Sequence, residues 1–414
     1  MIIKRNIAEP HILFRQNLPF CGISVIVAFD SGTMSDRYRH QTLCILGGGQ
    51  LGKMLIQKAW QLDMNVIALD HDPLGPCRIL GDKLHIGSFA DEATVLSVGA
   101  LADLITVEIE HVSVEALVKL RDQGKIVHPA PELLALVQDK GAQKLFYQEH
   151  GYPSAKFQLI ETNSQIQEWK GNFPLIQKTR RGGYDGKGVM KIERKGDWAL
   201  GFDTPSVLEE CLEIEQELSV LVARDEKGNI AVYPPVEMIF NDTAHLVELL
   251  ICPPSGKPIP PDVTALACDL ACDLGIVGIL AVEVFIDHEG FIYINEIAPR
   301  PHNSGHMTIE ANATSQYEQH LRAVYGLPLG GTELIAPAVM INLLGTEAGQ
   351  VQYEGLEYVF QTSNAHLHLY GKTQTKPFRK MGHITVLDRT IEEAMRKALL
   401  LKEKVRVGVI RGEW

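Results

Sequence analysis

Two glutamates in consecutive apolar runs are the residues of this sequence best suited to metal chemistry. Glu283 and Glu296 each lie inside such a run, and residues 287–290 between the runs have turn composition. If these four residues form a hairpin turn, Glu283 pairs with Ile294, and Glu296 is its diagonal neighbour on the same face. Diagonal neighbours lie roughly 7–8 Å apart, and paired carboxylates combined with substrate phosphates are typical Mg²⁺ ligands. The alternative is a pair of solvated acids on an edge hairpin.

A glycine-rich segment follows Lys178. The sequence R-G-G-Y-D-G-K-G spans residues 181–188. Its four glycines predict a loop with many exposed N–H donors, which is what phosphate binding needs, and Lys178 would add a point charge. It is not a Walker loop, because no Gly-Lys-Ser/Thr opens a helix. The alternative is a solvated hairpin turn.

An acidic stretch between these two segments could bind the remainder of a nucleotide. An apolar entry leads into Glu209 and Glu210. This stretch could expose backbone groups to an adenine, and Glu217 could hold ribose hydroxyls. Each acid taken singly is more often a solvated charge.

Two further polar segments could complete a site. Residues 298–306, A-P-R-P-H-N-S-G-H, combine groups that can orient and neutralise a small oxyanion. A basic cluster of Lys372, Arg379 and Lys380 in an acidic chain predicts a docking point for a phosphorylated substrate. Its alternative is a solubilising turn.

The segment G-G-G-Q-L-G at residues 47–52 favours a different chemistry. It satisfies G-x-G-x-x-G between a strand run and a helical run, and Asp70 ends the next strand run. Alone, it favours NAD binding and hydride transfer. The alternative is a tight strand-to-helix turn, whose helix N-terminus can hold any anionic or polar ligand. Because the downstream segments indicate phosphate and metal chemistry, a nicotinamide oxidoreductase is the second hypothesis.

The elements that must position these residues fall into three blocks. From 41 to 138, strand runs alternate with helical runs, which predicts an α/β block with a covered parallel sheet. From 139 to 330, hairpins and glycine loops predict an α+β block, and from 331 to 414 short strands predict a small β-rich block.

Residues 1–40 have a basic start and an apolar stretch without a clean cleavage site. We interpret them as an extension outside the fold, with Met34 as an alternative start.

Composition excludes several classes of protein. The chain has 414 residues, 39 basic and 51 acidic, and a net charge of −12. The length predicts two or three domains, and the acidic surplus argues against a nucleic-acid partner. No apolar run reaches the ~20 residues that span a bilayer, so no membrane partner is expected. Seven cysteines without C-x-x-C spacing predict thiols in a reducing, cytoplasmic compartment.

Together, the lysine before a glycine loop, the acidic stretch and the paired-carboxylate hairpin resemble the ATP-grasp superfamily. Within it, the chain from residue 42 onward is similar to the 5-(carboxyamino)imidazole ribonucleotide synthases, most specifically in residues 47–52, 182–188, 295–306 and 379–383. The resemblance implies a Rossmann-like N-terminal domain that does not use NAD, a central two-part ATP-grasp domain and a small β-rich C-terminal domain.

The resemblance also implies an activity. It predicts a cytoplasmic, homodimeric ligase of purine biosynthesis that uses ATP, Mg²⁺ and bicarbonate to carboxylate 5-aminoimidazole ribonucleotide. A third hypothesis is a non-catalytic nucleotide-binding module. ADP release that requires both bicarbonate and the ribonucleotide separates the ligase from this module and from the oxidoreductase.

The resemblance implies a set of site residues. The ATP contacts are Lys140, Lys178, Gly183, Tyr184, Asp185, Gly186, Lys187, Gly188, Val189, Glu209, Glu210, Cys211, Leu212, Glu217, Asn295 and Glu296, and the Mg²⁺ ligands are Glu283 and Glu296. The positions facing the ribonucleotide or bicarbonate are Gln50, Leu51, Glu108, Tyr184, Arg300, Asn303, Ser304, Gly305, His306, Lys372, Arg379 and Lys380. The catalytic groups are Lys178, Arg300, His302 and His306. One position departs from the family pattern, because Phe240 stands where members often carry a histidine, and His245 is the closest candidate.

Overall fold

The computed structural model describes residues 36–183, 188–241, 246–256 and 258–410. The chain divides into the units Met1–Tyr38 and Arg39–Trp414, and the sheets and α-helices all belong to the second unit. The predicted extension over residues 1–40 falls almost entirely outside the described residues. Over the part of the chain that the structure describes, no helix is long and apolar enough to cross a membrane.

The first sheet is parallel. Its strands are β1 (Thr42–Leu46), β2 (Asn65–Asp70), β3 (Leu84–Ile86), β4 (Leu104–Val107) and β5 (Ile126–Val127), in the order β3-β2-β1-β4-β5. The connections contain α1 (Gln50–Gln61), the 3-10 helix Pro76–Lys83, α2 (Glu92–Gly99) and α3 (Val114–Asp122). The strands are continuous apolar runs, as expected where helices cover both faces. Because β1 and β4 are neighbours, residues 47–52 and Glu108, which follow them, meet at one edge of the sheet.

The second sheet is antiparallel and carries the second glycine loop. Helices α4 (Pro131–Val137) and α5 (Lys140–Glu149) lead into it. Its strands are β6 (Phe157–Ile160), β7 (Leu175–Thr179), β8 (Val189–Ile192) and β9 (Ser206–Glu210), in the order β6-β9-β7-β8, with 3-10 helices at Asn163–Glu168 and Lys195–Leu200. Its small core includes Ile166 and Trp169. Since β7 ends just before the loop, Lys178 lies at the base of the loop.

The third sheet combines strands from the middle and the end of the chain. The remaining strands are β10 (Ile214–Arg224), β11 (Ile230–Val232), β12 (Val236–Phe240), β13 (Val247–Cys252), β14 (Gly278–Asp287), β15 (Ile292–Ala298), β16 (Ala338–Leu344), β17 (Gly349–Glu354), β18 (Ala365–Leu369), β19 (Gln374–Thr375), β20 (Lys380–Leu387) and β21 (Arg406–Val409). The sheet runs β15-β14-β10-β12-β13-β16-β20-β18, with β11 beside β10, and β19-β17-β21 form a separate sheet. The helices are α6 (Asp262–Asp273), α7 (Thr308–Ala311), α8 (Gln316–Val324), α9 (Leu356–Gln361) and α10 (Ile391–Lys404), with a 3-10 turn at Asn303–Gly305. The C-terminal strands β16, β20 and β18 therefore continue the sheet that contains the glutamate hairpin.

The two faces of β10, β14 and β15 have opposite character. One face carries Val220 and Val282, which belong to an apolar core that includes residues of α6. Glu217, Glu283 and Glu296 occupy alternate positions in the same strands and lie on the other face. This alternation buries one side of the sheet and leaves carboxylates on the side where the site lies.

Candidate active site

The two predicted metal ligands lie directly opposite each other. Glu283 is the register partner of Glu296, because a β-bulge leaves Asn295 unpaired in β15. The hairpin turn is also longer than expected, since Ile286 pairs with Ile292. The prediction that both carboxylates share one face is confirmed. The predicted diagonal register was wrong, because side-chain alternation carries no signal for an inserted residue.

The two carboxylates differ in charge. Burial, then the neighbouring charges of Glu296 and Glu217, raise the pKa of Glu283 to about 8. Desolvation by the surrounding protein also acts to raise the pKa of Glu296. The Lys140 ammonium, whose Nζ lies 2.9 Å from Oε1 of Glu296, outweighs this effect, so the pKa of Glu296 is lowered overall. Glu296 is also open to the cleft, with 51% of its side chain exposed. At neutral pH Glu296 is therefore the anion, and Glu283 is the group that a bound cation would ionise.

This pair of ligands fits Mg²⁺ that arrives with a nucleotide. No group of three or more His, Cys, Asp or Glu within the described ranges is arranged to hold a metal by itself. Mg²⁺ commonly takes one or two protein carboxylates and completes its shell with phosphates and water. A dication between Glu283 and Glu296 would also relieve the repulsion that keeps a proton on one of them.

Two lysines flank Glu209. Nζ of Lys178 lies 2.9 Å from Oε2 of Glu209, and Nζ of Lys144 lies 3.1 Å from Oε1. Burial acts to raise the pKa of Glu209, but the two ammonium groups lower it overall. Lys178 also donates to Oδ1 of Asn295 at 3.1 Å. The Glu209 carboxylate thus holds Lys178 against the bulge of the glutamate hairpin.

Three consecutive residues connect the surrounding segments to this site. Asp139 caps α5 and accepts two hydrogen bonds from Arg180, at 2.9 and 2.7 Å. Lys140 follows it and forms the ion pair with the second metal carboxylate. Gln138 precedes it and donates to two carbonyls in the loop 110–112. Residues 138–140, where the first block meets the second, therefore hold together the loop 110–112, the segment before the second glycine loop and the glutamate hairpin.

The polar loop after β15 brings Arg300 and His302 next to the carboxylates. Nε2 of His302 is 3.7 Å from Oε1 of Glu283. Nη2 of Arg300 is 2.6 Å from Oε1 of Glu110, a residue of the first block. Ser304 holds the loop to the sheet, because its Oγ lies 2.7 Å from a serine hydroxyl of β10. His302 is therefore in ion-pairing range of Glu283, and Arg300 is held by an acid of the first block.

Other predicted residues of this loop are buried beneath it. Asn303, Ser304 and His306 are all buried, and no described residue bonds to the Asn303 amide or to Nε2 of His306. Nδ1 of His306 lies 2.9 Å from the Tyr317 hydroxyl, and its ring stacks on His383 with centroids 4.7 Å apart. Burial lowers the pKa of His306 well below its usual value. His306 is thus a neutral side chain that supports the loop from below.

Residues 47–52 form the predicted strand-to-helix turn, but the protein's own acids bond to its amides. Gly48 donates to Oδ2 of Asp70 at 2.5 Å, and two further amides of the turn donate to Glu108 at 2.9 and 3.0 Å. A Cβ at Gly48 would lie 2.6 Å from Cβ of Asp70, so glycine is needed for this close approach. Internal carboxylates occupy the place where a dinucleotide's pyrophosphate would bind, which argues against hydride transfer.

The basic residues of the C-terminal block point in different directions. Lys372 donates to the Lys380 carbonyl at 2.8 Å and, together with Arg78, lines a cavity of about 290 Å³. Burial raises the pKa of Glu283 and the charge of Lys380 opposes this rise, so Lys380 acts electrostatically on Glu283. Arg379 donates to a carbonyl of β19 at 2.9 Å. The predicted cluster therefore contributes to two places, the seam with the first block and the glutamate pair.

Some predicted contacts lie outside the described residues. These are Tyr184, Asp185, Gly186, Lys187 and His245. The others occupy defined positions: Gly183 and Gly188 on either side of the gap, Val189 at the start of β8, Glu210 at the end of β9, Cys211 and Leu212 between β9 and β10, Phe240 at the end of β12, Gly305 in a 3-10 turn, and Gln50 and Leu51 at the start of α1.

Comparison with known proteins identifies the family. The chain matches the ribonucleotide synthetase preATP-grasp domain over residues 40–138, the ATP-grasp domain over 145–317 and the phosphoribosylaminoimidazole carboxylase C-terminal domain over 338–397. It is 36% identical over 362 residues to the N5-carboxyaminoimidazole ribonucleotide synthase of Bacillus subtilis, which covers 86% of this chain and 94% of that protein. The chain belongs to the N5-carboxyaminoimidazole ribonucleotide synthase family.

Solved structures of N5-carboxyaminoimidazole ribonucleotide synthases share this fold. The enzyme from Thermotoga maritima has a TM-score of 0.82 and 41% identity, over 89% of this chain and 100% of that one. The enzyme from Aspergillus clavatus, solved in complex with ADP and 5-aminoimidazole ribonucleotide, has a TM-score of 0.80 and 31% identity, over 88% and 98% of the two chains. The predicted ATP-grasp architecture is confirmed.

Three residues around the site of this synthase-family chain were not predicted from the sequence. These residues are Glu110, Lys144 and Arg180. Glu110 follows a strand of the parallel sheet two residues after Glu108, at the edge where ligands bind. Lys144 is four residues after Lys140 and shares its face of α5. Arg180 directly precedes the glycine loop, so position alone could have drawn attention to all three.

Proposed function

We propose that this chain catalyses the carboxylation of the exocyclic amine of 5-aminoimidazole ribonucleotide by bicarbonate. The products are N5-carboxyaminoimidazole ribonucleotide, ADP and phosphate, and the step belongs to purine (IMP) biosynthesis. The observation that carries the proposal is the opposed pair Glu283 and Glu296, with Lys140 directed at it and Lys178 against its bulge. Phosphoryl transfer depends on such positioning and charge neutralisation. The relatives that carry this activity or were solved with ADP and the ribonucleotide support the assignment.

ATP is proposed to bind between the second and third sheets. Lys140, Lys178 and the loop 182–188 would hold its phosphates, residues 209–212 its adenine, and Glu217 its ribose. Glu283 and Glu296 would hold Mg²⁺, which when bound neutralises charge on the β- and γ-phosphates. The raised pKa of Glu283 supports this role, because its carboxylate lacks a cationic partner strong enough to ionise it.

The ribonucleotide is proposed to lie between the polar loop and the C-terminal block. Arg300, His302 and Lys380 would meet the imidazole amine and the carboxyl group at the reacting end. Lys372 and Arg379 would hold the 5′-phosphate, and the cavity of about 290 Å³ lined by Lys372 and Arg78 supports the placement at Lys372. Gln50, Leu51 and Glu108 would line the approach from the first block, and buried His306 would support the loop.

The proposed reaction has two steps. A bicarbonate oxygen attacks the γ-phosphorus, the bond to ADP breaks, and carboxyphosphate forms. The amine nitrogen then attacks the carboxyl carbon, either in carboxyphosphate itself or in the CO₂ that carboxyphosphate releases within the site. On both routes the bond from that carbon to the phosphate oxygen breaks, and phosphate leaves. The nitrogen loses one proton in this step, and we assign His302 as its acceptor because its Nε2 lies 3.7 Å from Oε1 of Glu283 at the reacting end and a neutral imidazole nitrogen can act as a general base. Arg300 would stabilise the oxyanion as charge develops on it.

ADP release tests the proposal. Purified protein with Mg²⁺ and ATP should form ADP only when bicarbonate and 5-aminoimidazole ribonucleotide are both present. ATP binding without turnover under these conditions would instead establish a binding module. Saturable binding of NADH at micromolar concentration would revive the oxidoreductase hypothesis, which the acids bonded to the loop 47–52 oppose.

The resemblance also suggests a homodimer in the cytoplasm, and both remain proposals. Light scattering coupled to gel filtration decides the first. A molar mass of twice the 45.9 kDa of one chain would support the dimer, and the mass of one chain would reject it.

A further inference from the structure

Glu110 holds the guanidinium of Arg300 across the boundary between two blocks. Oε1 of Glu110 lies 2.6 Å from Nη2 of Arg300, and the two side chains are 14% and 15% exposed. Arg300 follows β15 of the third sheet, whereas Glu110 follows β4 of the first sheet. A charge-assisted hydrogen bond of this length, shielded from solvent, is among the stronger polar contacts in proteins.

The rest of the guanidinium is weakly restrained. Nη1 of Arg300 donates to the carbonyl of the adjacent Pro301 at 2.9 Å, and the buried Nε has no acceptor among the described residues. Desolvation by the surrounding protein acts to raise the pKa values of Glu108 and Glu296, and the Arg300 charge opposes that effect in both. These two carboxylates are therefore within electrostatic reach of Arg300, although its ion pair is with Glu110.

Glu110 is itself held by a rigid support. Nε2 of Gln138 donates to the carbonyls of Glu110 and Val112, both at 2.8 Å. Val112 is part of the core of the first sheet. Two residues before Glu110, Glu108 is bonded to the glycine turn. The backbone on either side of Glu110 is thus fixed, so its carboxylate can define a direction.

We propose that Glu110 is a positioning residue that orients Arg300 toward the oxyanion substrate and away from the metal-binding Glu296. This inference rests on the proposed function, in which Arg300 meets bicarbonate or the carboxyl group derived from it. Without Glu110, Glu108 and Glu296 are the remaining carboxylates whose charges act on the guanidinium, and it would turn toward them and out of its working orientation. In the wild-type protein, the first block would contribute to the reaction through the Glu110 carboxylate, which need not touch the substrate.

Steady-state kinetics of two Glu110 variants test the proposal. In Glu110→Ala, the KM for bicarbonate should rise by about ten- to a hundredfold, while the KM for ATP stays within about twofold. Glu110→Gln should recover part of the loss, because its amide oxygen still accepts from Nη2. Lys58→Gln is the matched control, since it breaks the pair with Glu318, another ion pair between the first and second blocks (3.3 Å). It should leave all these constants unchanged.

A double-mutant cycle then asks whether Glu110 acts through Arg300. In an Arg300→Ala background, Glu110→Ala should add less than about a twofold effect, because the partner that it orients is already gone. Independent, multiplying effects would overturn the proposal. So would a Glu110→Ala protein with wild-type constants, or one whose melting temperature and Vmax fall while every KM is preserved. If instead the wild-type protein shows no bicarbonate-dependent ADP release, the proposed function fails and the inference about Arg300 fails with it.

Discussion

Two glycine loops follow buried strands in this molecule, and their surroundings are opposite. The amides of residues 47–52 bond to Asp70 and Glu108, which are acids of the same sheet. The loop 182–188 starts beyond Lys178 and Arg180, so two cations lie at its base, paired with Glu209 and Asp139. Glycine spacing shows where another group can come close to the backbone, but the charge of the neighbouring side chains decides which group binds there. The amides of the first turn are satisfied within the protein, whereas the second loop is proposed to bind the phosphates of ATP.

Glu296→Gln tests this contrast most severely. If the second region works only with a metal and a nucleotide, removing this carboxylate should lower bicarbonate-dependent ADP formation by about a hundredfold or more, as for other groups that stabilise transition-state charge. The size of the side chain is kept, so the circular dichroism spectrum should not change. Glu289→Gln, in the exposed turn of the same hairpin, is the control and should be fully active. Wild-type turnover by Glu296→Gln would reject the metal assignment.

Lys178→Met sharpens the assignment of the second loop to phosphates. The methionine keeps most of the aliphatic stem and removes the charge, leaving Glu209 with Lys144 alone. Losing one charge-assisted contact to a phosphate should raise the KM for ATP by about ten- to a hundredfold. Lys191→Met, on the neighbouring strand β8 and paired there with Glu193, should bind ATP normally. An unchanged KM for ATP in Lys178→Met would show that the nucleotide lies elsewhere.

Asp70→Ala tests whether the acids that bond to the amides of the first turn serve the stability of the fold and not nucleotide binding. The buried Asp70 accepts from the amides of Gly48 and Asp72, and its loss leaves these donors unsatisfied. We expect the free energy of unfolding in urea to fall by about 1–3 kcal/mol, with the KM for ATP unchanged. Asp82→Ala, at an exposed position in the same block, should stay within about 0.5 kcal/mol of wild type. A changed KM for ATP in Asp70→Ala would mean that the turn takes part in nucleotide binding.

The smallest expected effect is a pH dependence from Glu217. Burial raises its pKa to about 7 from an ordinary value of 4.5, against the charge of Lys178. The folded protein therefore binds this proton more tightly than the unfolded chain, and the stability it contributes is lost as the pH rises from about 4.5 to about 7. Without nucleotide, Glu217→Gln should flatten this decline by about 1–2 kcal/mol, measured by urea denaturation across that range. An identical slope in the variant would show that Glu217 is already ionised in the fold.

Local patterns were sufficient for most elements of the fold. The strand run that ends at Asp70 and the alternation of strands with helices from 41 to 138 have the predicted type. Hairpin alternation also put both metal carboxylates on one face. The predicted register was wrong, because the bulge at Asn295 depends on the packing of the two strands against each other. The continuity of β13 with β16 was not indicated either, since pairing between strands distant in the chain leaves no local trace.

The sequence by itself determined the chemistry that is available here: paired glutamates, lysines before a glycine loop, and a loop of arginine and histidines after the hairpin. Tertiary structure decided which of these groups are committed to other parts of the protein. Gly48 and Gly49 bond to acids 22 and 59 residues away, and Arg300 bonds to Glu110 from a different sheet. The physical reason is that backbone hydrogen bonds and buried charges must be satisfied by whatever neighbours the fold supplies. Residue spacing along the chain does not identify those neighbours.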